Sequence, residues 1–203
     1  MQSFMDRLAS ASPTPGGGGA AAAIGAMGAA LLSMAAAVTL GKGHDALLRT
    51  DLQEQWNASE ALRARFIALV DEDARAYNRF LGACRLPRQD DRQAETRAAA
   101  MQAGLWAATQ VPLDCAQACV EGIRLAKRSV ERSTRNVLGD SGAAALALQA
   151  ALRICALNVA VNSASLRDAG SAALARKTVQ TLLDEGLALA ESVQQRILQR
   201  PTD

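Results

Sequence analysis

Residues 16–40 read GGGGAAAAIGAMGAALLSMAAAVTL, and the fold class turns on how this stretch is read. No charged residue occurs between Leu8 and Gly41, and Ala20 to Leu40 forms a run of 21 mostly apolar positions. That length suits a membrane span. Ala and Gly, however, drive insertion far more weakly than Leu, Ile or Phe, and the basic leader of a signal peptide is missing, since only Arg7 precedes and Asp6 balances it. The run is therefore expected to be a buried helix, in a cytoplasmic protein with no membrane partner. Gly25, Ala29, Ser33 and Ala36/Ala37 recur at helical spacing, giving a side that another helix can approach closely. A helix apolar all round belongs at the centre of a bundle or at a subunit interface.

The rest of the composition agrees. Alanine makes up 45 of 203 residues, about 22%, while aromatic residues make up 3%. Strands favour β-branched and aromatic side chains, whereas Ala is the best helix former, so the expectation is an all-α, single-domain bundle (residues 1–203) of long antiparallel helices with a central small-residue-rich helix. The net charge of +2 argues against nucleic acid as a partner. Four cysteines (Cys84, Cys115, Cys119, Cys155) and a single histidine, His44, fit reduced thiols better than disulfides or zinc, so no metal is expected.

Punctuation divides the chain. A short amphipathic helix over Gln2 to Ala11 turns Phe4, Met5 and Leu8 inward, and Ser12-Pro13-Thr14-Pro15 with Gly16 to Gly19 breaks it. Gly41 to Asp45 closes the apolar helix. A long helix from Asp45 to Cys84 carries Leu62, Phe66, Leu69, Tyr77 and Phe80 on one face, with Asp73 on the same stripe. A helix from Arg92 to Gln110 is expected to stop at Pro112, with another continuing to Ser133. Asp140 or Ser141 is expected to cap a helix reaching Ser165, and a last one spans Asp168 to Gln199 with Val179, Leu182, Gly186, Ala190, Val193 and Ile197 inward.

A plain bundle does not need several of these features. The glycine turn, with free amides ahead of a helix, can hold an anionic or carbonyl group, yet it lacks the Lys-Ser/Thr of a P-loop and the preceding strand of a dinucleotide fingerprint. A carboxylate on an apolar stripe, Asp73, must be paired, protonated or facing a cleft. Asp140 is explained first by helix capping, and Asn158 and Asn162, one turn apart on an apolar helix, must find partners in helix ends or a ligand. Lys42 and His44 read as a solvated helix end, and Cys115 with Cys119 as small core residues. No Ser/His/Asp set and no second histidine supports triad or zinc hydrolysis.

Phe4 to Gly18, with its Pro-Thr-Pro-Gly-Gly-Gly, resembles the opening of the formiminotransferase-cyclodeaminase C-terminal family, which includes stand-alone methenyltetrahydrofolate cyclohydrolases. The similarity continues through Gly25 to Met34, Thr39 to Lys42, Asp71 to Ala74, Val111-Pro112-Leu113, Asp140-Ser141-Gly142 and Ala156 to Asn162. Ala37-Val38 and Gly139 depart from it, where family members often carry Asn and Ser.

The resemblance implies an all-helical, dimeric, folate-binding enzyme with no cofactor beyond its tetrahydrofolate substrate. It implies action on the one-carbon bridge between N5 and N10. A methenyl bridge is already cationic and electrophilic, so water addition needs only a placed water, a proton acceptor and donors for the leaving nitrogen. By motif match, Pro15, Gly16, Gly17 and Gly18 are assigned to folate binding, and Lys42 to a substrate carboxylate or the bridge region. Asp73 and Asp140 become acid/base and cation-stabilising residues in an order left open, and Asn158 and Asn162 orienting amides. Hydrolysis of 5,10-methenyltetrahydrofolate to the 10-formyl form is the first expectation, since no formiminotransferase domain is present. Loss of ammonia from 5-formiminotetrahydrofolate is the second, and a non-catalytic helical interaction module the third.

Overall fold

A computed structural model describes residues 2–42 and 45–199. Its helices are α1 (Gln2–Leu8), α2 (Gly17–Leu40), α3 (Ala46–Cys84), α4 (Asp91–Arg132), α5 (Leu138–Ser163) and α6 (Ala169–Leu198), with a 3-10 turn at Arg135–Val137 and no strand among the described residues. His44, read above as part of a solvated helix end, lies outside them.

Successive long helices run antiparallel. On α2 and α3, Gly18 lies over Asp73, Gly25 over Phe66, and the Ser33 hydroxyl donates to Glu60 at 2.6 Å, so one helix rises as the other falls. The same inverse order joins α4 to α5 through Ser129 with Ser141 and Ala108 with Asn162. It joins α5 to α6 through Leu152 with Gly186 and Ser163 with Arg176. Helix α2 returns against α5, where Gly28 meets Leu148 and the carbonyl of Ala144.

The small-residue stripe lets these axes close up. A Cβ on Gly25 would stand 2.6 Å from Phe66 Cδ1, and Phe66 is fully buried. The core fills with Leu32, Leu62, Phe66, Ile123, Leu148 and Leu152, and α6 adds Val179, Ala190 and Val193. Asp45, Asp90 and Asp168 cap α3, α4 and α6, each side chain accepting an amide of the first turn.

The structure corrects four local expectations. Pro112 does not stop a helix: α4 runs through it, because the carbonyl that a residue-112 amide would have bonded, Ala108, accepts instead from Asn162 Nδ2 at 2.8 Å. Asp140 and Ser141 do not cap α5. That helix starts at Leu138, which leaves Asp140 in its first turn, where a negative charge meets the positive end of the dipole. Helix α1 buries no residue fully: Phe4 and Leu8 are half-buried, and Met5 is 42% exposed. On α3 the buried stripe steps from Leu69 to Ala76 and Ala83, leaving Tyr77 38% exposed, because alternating steps of three and four residues follow a long helix more closely than repeated fours.

One side of the α2–α5 pair stays open. It presents Met27, Ala30, Met34, Ala37 and Val38 from α2 and Ala143, Leu146, Ala150, Arg153, Leu157, Ala160 and Val161 from α5. Both helices are long and apolar enough to cross a membrane, but 50% of the apolar window of α2 and 39% of that of α5 is buried inside the bundle.

Candidate active site

The glycine turn and Asp73 meet at one end of the bundle. Gly16 is the N-cap of α2 in an extended conformation, Gly17, Gly18 and Gly19 form the first turn, and the Thr14–Pro15 peptide is cis. The Asp73 carboxylate accepts the amide of Gly19 at 2.9 Å, so α3 supplies an acid to the N-terminus of α2. Glycine at position 18 makes this possible. A Cβ there would lie 2.6 Å from Asp73 Cγ and closer still to Oδ1.

Burial pushes the Asp73 carboxyl above the ordinary aspartate range, the Gly19 amide opposes that rise, and negative character at Cys115 adds to it. A carboxyl held between two such influences can exchange a proton with a neighbouring substrate more readily than an exposed aspartate.

Beneath Asp73 lie three thiols, Cys115 and Cys119 on α4 and Cys155 on α5, all buried. Burial pushes Cys119 well up. Cys155 rises through its hydrogen bond with Cys115, and the two thiols acting on Cys115 lower it. The sequence reading recognised Cys115 and Cys119 as core residues but not that Cys155 joins them under the acid. The available signal was the position of Cys155, one turn before Asn158 on the same side of α5. Among the described residues no group of three or more His, Cys, Asp or Glu side chains is arranged to hold a metal ion.

Asn158 belongs to this end as well. Its amide nitrogen donates to the Ile154 carbonyl at 2.9 Å, and it packs beside Gly17, whose missing Cβ would stand 3.5 Å away. Pro15 is buried under the turn. Asn162, one turn further along, spends its amide nitrogen on the Ala108 carbonyl freed by Pro112, which gives it a structural task.

Lys42 and Asp140 are elsewhere. Asp140 and Asn158 are 18 residues apart on α5, five whole turns, so they share a side of that helix about 27 Å apart. Lys42 is exposed just past the end of α2, and the Thr134 amide donates to the Thr39 hydroxyl at 3.3 Å, tying that end of α2 to the start of α5. This second end is polar inside. Ser129 hydrogen-bonds Ser133 and Ser141, and Gln55, 2% exposed, has no hydrogen-bond partner for its amide oxygen or nitrogen. Within one chain, then, the sequence-nominated residues fall into two clusters: Pro15 to Gly18, Asp73 and Asn158 at one end, Lys42 and Asp140 at the other.

Known proteins resemble this chain along most of its length. The Formiminotransferase-cyclodeaminase family model matches residues 1–181. The chain is 42% identical over 197 residues to the methenyltetrahydrofolate cyclohydrolase of Methylorubrum extorquens, covering 97% of this chain and 95% of that one. It is 31% identical to the formimidoyltransferase-cyclodeaminase of Rattus norvegicus, matching 36% of that longer protein. The formiminotetrahydrofolate cyclodeaminase of Thermotoga maritima superimposes with a TM-score of 0.80 at 25% identity, covering 97% of this chain and 92% of that one.

Proposed function

The chain belongs to the formiminotransferase-cyclodeaminase family, and from that premise we propose that it hydrolyses 5,10-methenyltetrahydrofolate to 10-formyltetrahydrofolate as a homodimer. One observation carries the choice of reaction: 42% identity along essentially the whole length of a methenyltetrahydrofolate cyclohydrolase, against 31% to a stretch that makes up 36% of a longer formimidoyltransferase-cyclodeaminase. Ammonia release from 5-formiminotetrahydrofolate is the second reading, favoured by the likeness to the Thermotoga maritima cyclodeaminase.

The chemistry needs little that the glycine-turn end lacks. Water adds to the cationic bridge carbon, and its proton passes to the Asp73 carboxylate, giving a neutral carbinol held between N5 and N10. Asp73 then returns that proton to N5 as the carbon–N5 bond breaks. The carbinol hydroxyl loses its own proton to solvent, so the formyl group remains on N10 and one proton is released overall. The negative charge of Asp73 also steadies the cation before attack. In this scheme the amides of Gly17 and Gly18 and the side chain of Asn158 orient the polar edge of the substrate, and Lys42 serves an anionic part of it. The non-catalytic reading leaves unexplained why a carboxylate is buried against a helix start that only glycine permits.

The decisive assay follows the loss of methenyltetrahydrofolate absorbance with purified protein. Acceleration well above buffer is expected, and a rate equal to buffer overturns the proposal. Parallel measurement of ammonia from 5-formiminotetrahydrofolate decides the second reading.

A further inference from the structure

We infer that Thr39 is the positioning residue of Lys42: its buried hydroxyl pins the last turn of α2 to the α4–α5 connection and so sets where the Lys42 ammonium meets the anionic part of the substrate. The inference rests on the proposed function for the role of Lys42, whereas its geometry comes from contacts within the chain.

Thr39 is fully buried in the last turn of α2, and Lys42 emerges from that turn exposed. The Thr39 carbonyl accepts the Lys42 amide at 3.1 Å, so the root of the lysine is held by the threonine itself. The Thr39 hydroxyl donates to the Ala35 carbonyl at 2.8 Å and accepts the Thr134 amide at 3.3 Å. Thr134 is extended backbone between α4 and the 3-10 turn. The amide before it, that of Ser133, still bonds back to the Ser129 carbonyl at 2.8 Å, but the Thr134 amide has left the helix and turns to the threonine of α2.

The segment that Thr39 grips is itself anchored. Ser141 donates to the Val137 carbonyl at 3.1 Å, so the proton shared with Ser129 at 2.8 Å comes from Ser129, and the one shared with Ser133 at 3.0 Å comes from Ser133. This one-way chain of buried hydroxyls binds the end of α4 to the first turn of α5. A lysine has a long flexible stem, so its ammonium is placed only as well as its backbone is fixed. Valine at position 39 keeps the shape, strands the Thr134 amide and frees the end of α2.

The test is a double-mutant cycle. Thr39→Val is expected to raise KM for 5,10-methenyltetrahydrofolate at least about fivefold with kcat within about twofold, because a charge contact to a remote part of the substrate is equal in the ground and transition states. Thr39→Ser, which keeps the hydroxyl, should restore the wild-type KM. In a Lys42→Ala background, Thr39→Val should add almost nothing. A wild-type KM in Thr39→Val, no rescue by serine, or a full further loss on top of Lys42→Ala overturns the inference.

Two measurements do not depend on turnover. Hydrogen exchange should find the Thr134 amide protected in wild type and in Thr39→Ser; an unprotected Thr134 amide in the wild-type protein overturns the inference even if Thr39→Val does not fold. Equilibrium binding of 5-formyltetrahydrofolate, an unreactive probe, should weaken in Thr39→Val by the same factor as KM rises, and equal affinity overturns the inference. If binding weakens in that way but wild type does not consume methenyltetrahydrofolate, the positioning of Lys42 stands and the proposed reaction fails.

Discussion

Replacing Gly18 with alanine separates stability from catalysis in a way that the structure makes quantitative. A Cβ at position 18 would lie 2.6 Å from Asp73 Cγ, and ordinary contact begins at 3.4 Å, so the carboxyl carbon must retreat by about 0.8 Å and its Oδ1 by more. The Gly19 amide then loses its 2.9 Å acceptor. That hydrogen bond to a charged group is worth about 1.5–3 kcal/mol, and alanine returns about 1 kcal/mol of helix propensity, so the net loss is about 0.5–2 kcal/mol. For a chain of this size the melting temperature falls by about 1–8 °C. Turnover should suffer far more, because displacing an acting group by about 1 Å can cost about 100-fold. The assay pairs a circular-dichroism melt with methenyltetrahydrofolate turnover, and Gly82→Ala is the control. Gly82 has open space where a Cβ would go, so that variant should melt slightly higher at an unchanged rate. A Gly18→Ala enzyme that melts as expected but turns over at the wild-type rate refutes the assignment of Asp73 to the reacting bridge.

Further outcomes follow from the same contacts. Asn162→Ala should strand the Ala108 carbonyl and cost about 1–3 kcal/mol; in a Pro112→Ala background, where a backbone amide is restored, most of that cost should disappear, and simple additivity of the two melts would count against the repair. Because burial raises the Asp73 pKa, its protonated form is favoured in the fold, so the stability it provides below the ordinary aspartate range is lost as pH rises through the raised value. Asp73→Asn should accordingly unfold at higher denaturant than wild type at neutral pH, with the gap closing below about pH 4; a gap that widens on acidification contradicts that sign. Gly25→Ala drives a methyl into the Phe66 ring and should cost about 1–3 kcal/mol by overpacking, measurable as a lower denaturation midpoint with unchanged slope.

How much of this could be read from the sequence depends on how local the cause is. The apolar run of α2 and the inward stripe of α6 follow from residues within a few turns of one another, and the structure places them as their spacing requires. Asp73 also stood out, because a carboxylate on an apolar stripe is an anomaly visible at the level of periodicity. Its partner was not visible: the Gly19 amide is 54 residues away in sequence, and only the antiparallel return of α3 brings the two together.

Pro112 shows the same limit from the other side. Local rules end a helix there, and they fail because a side chain 54 residues from Ala108 takes over the orphaned carbonyl. The composition by itself determined a helical protein and the few polar residues that needed explaining, since helix propensity and amphipathic spacing are properties of neighbouring residues. Which of those polar residues share a site was decided only by the tertiary structure. The up-and-down order of rigid helices gathers Asp73, the glycine turn and Asn158 at one end of the bundle and leaves Lys42 and Asp140 at the other.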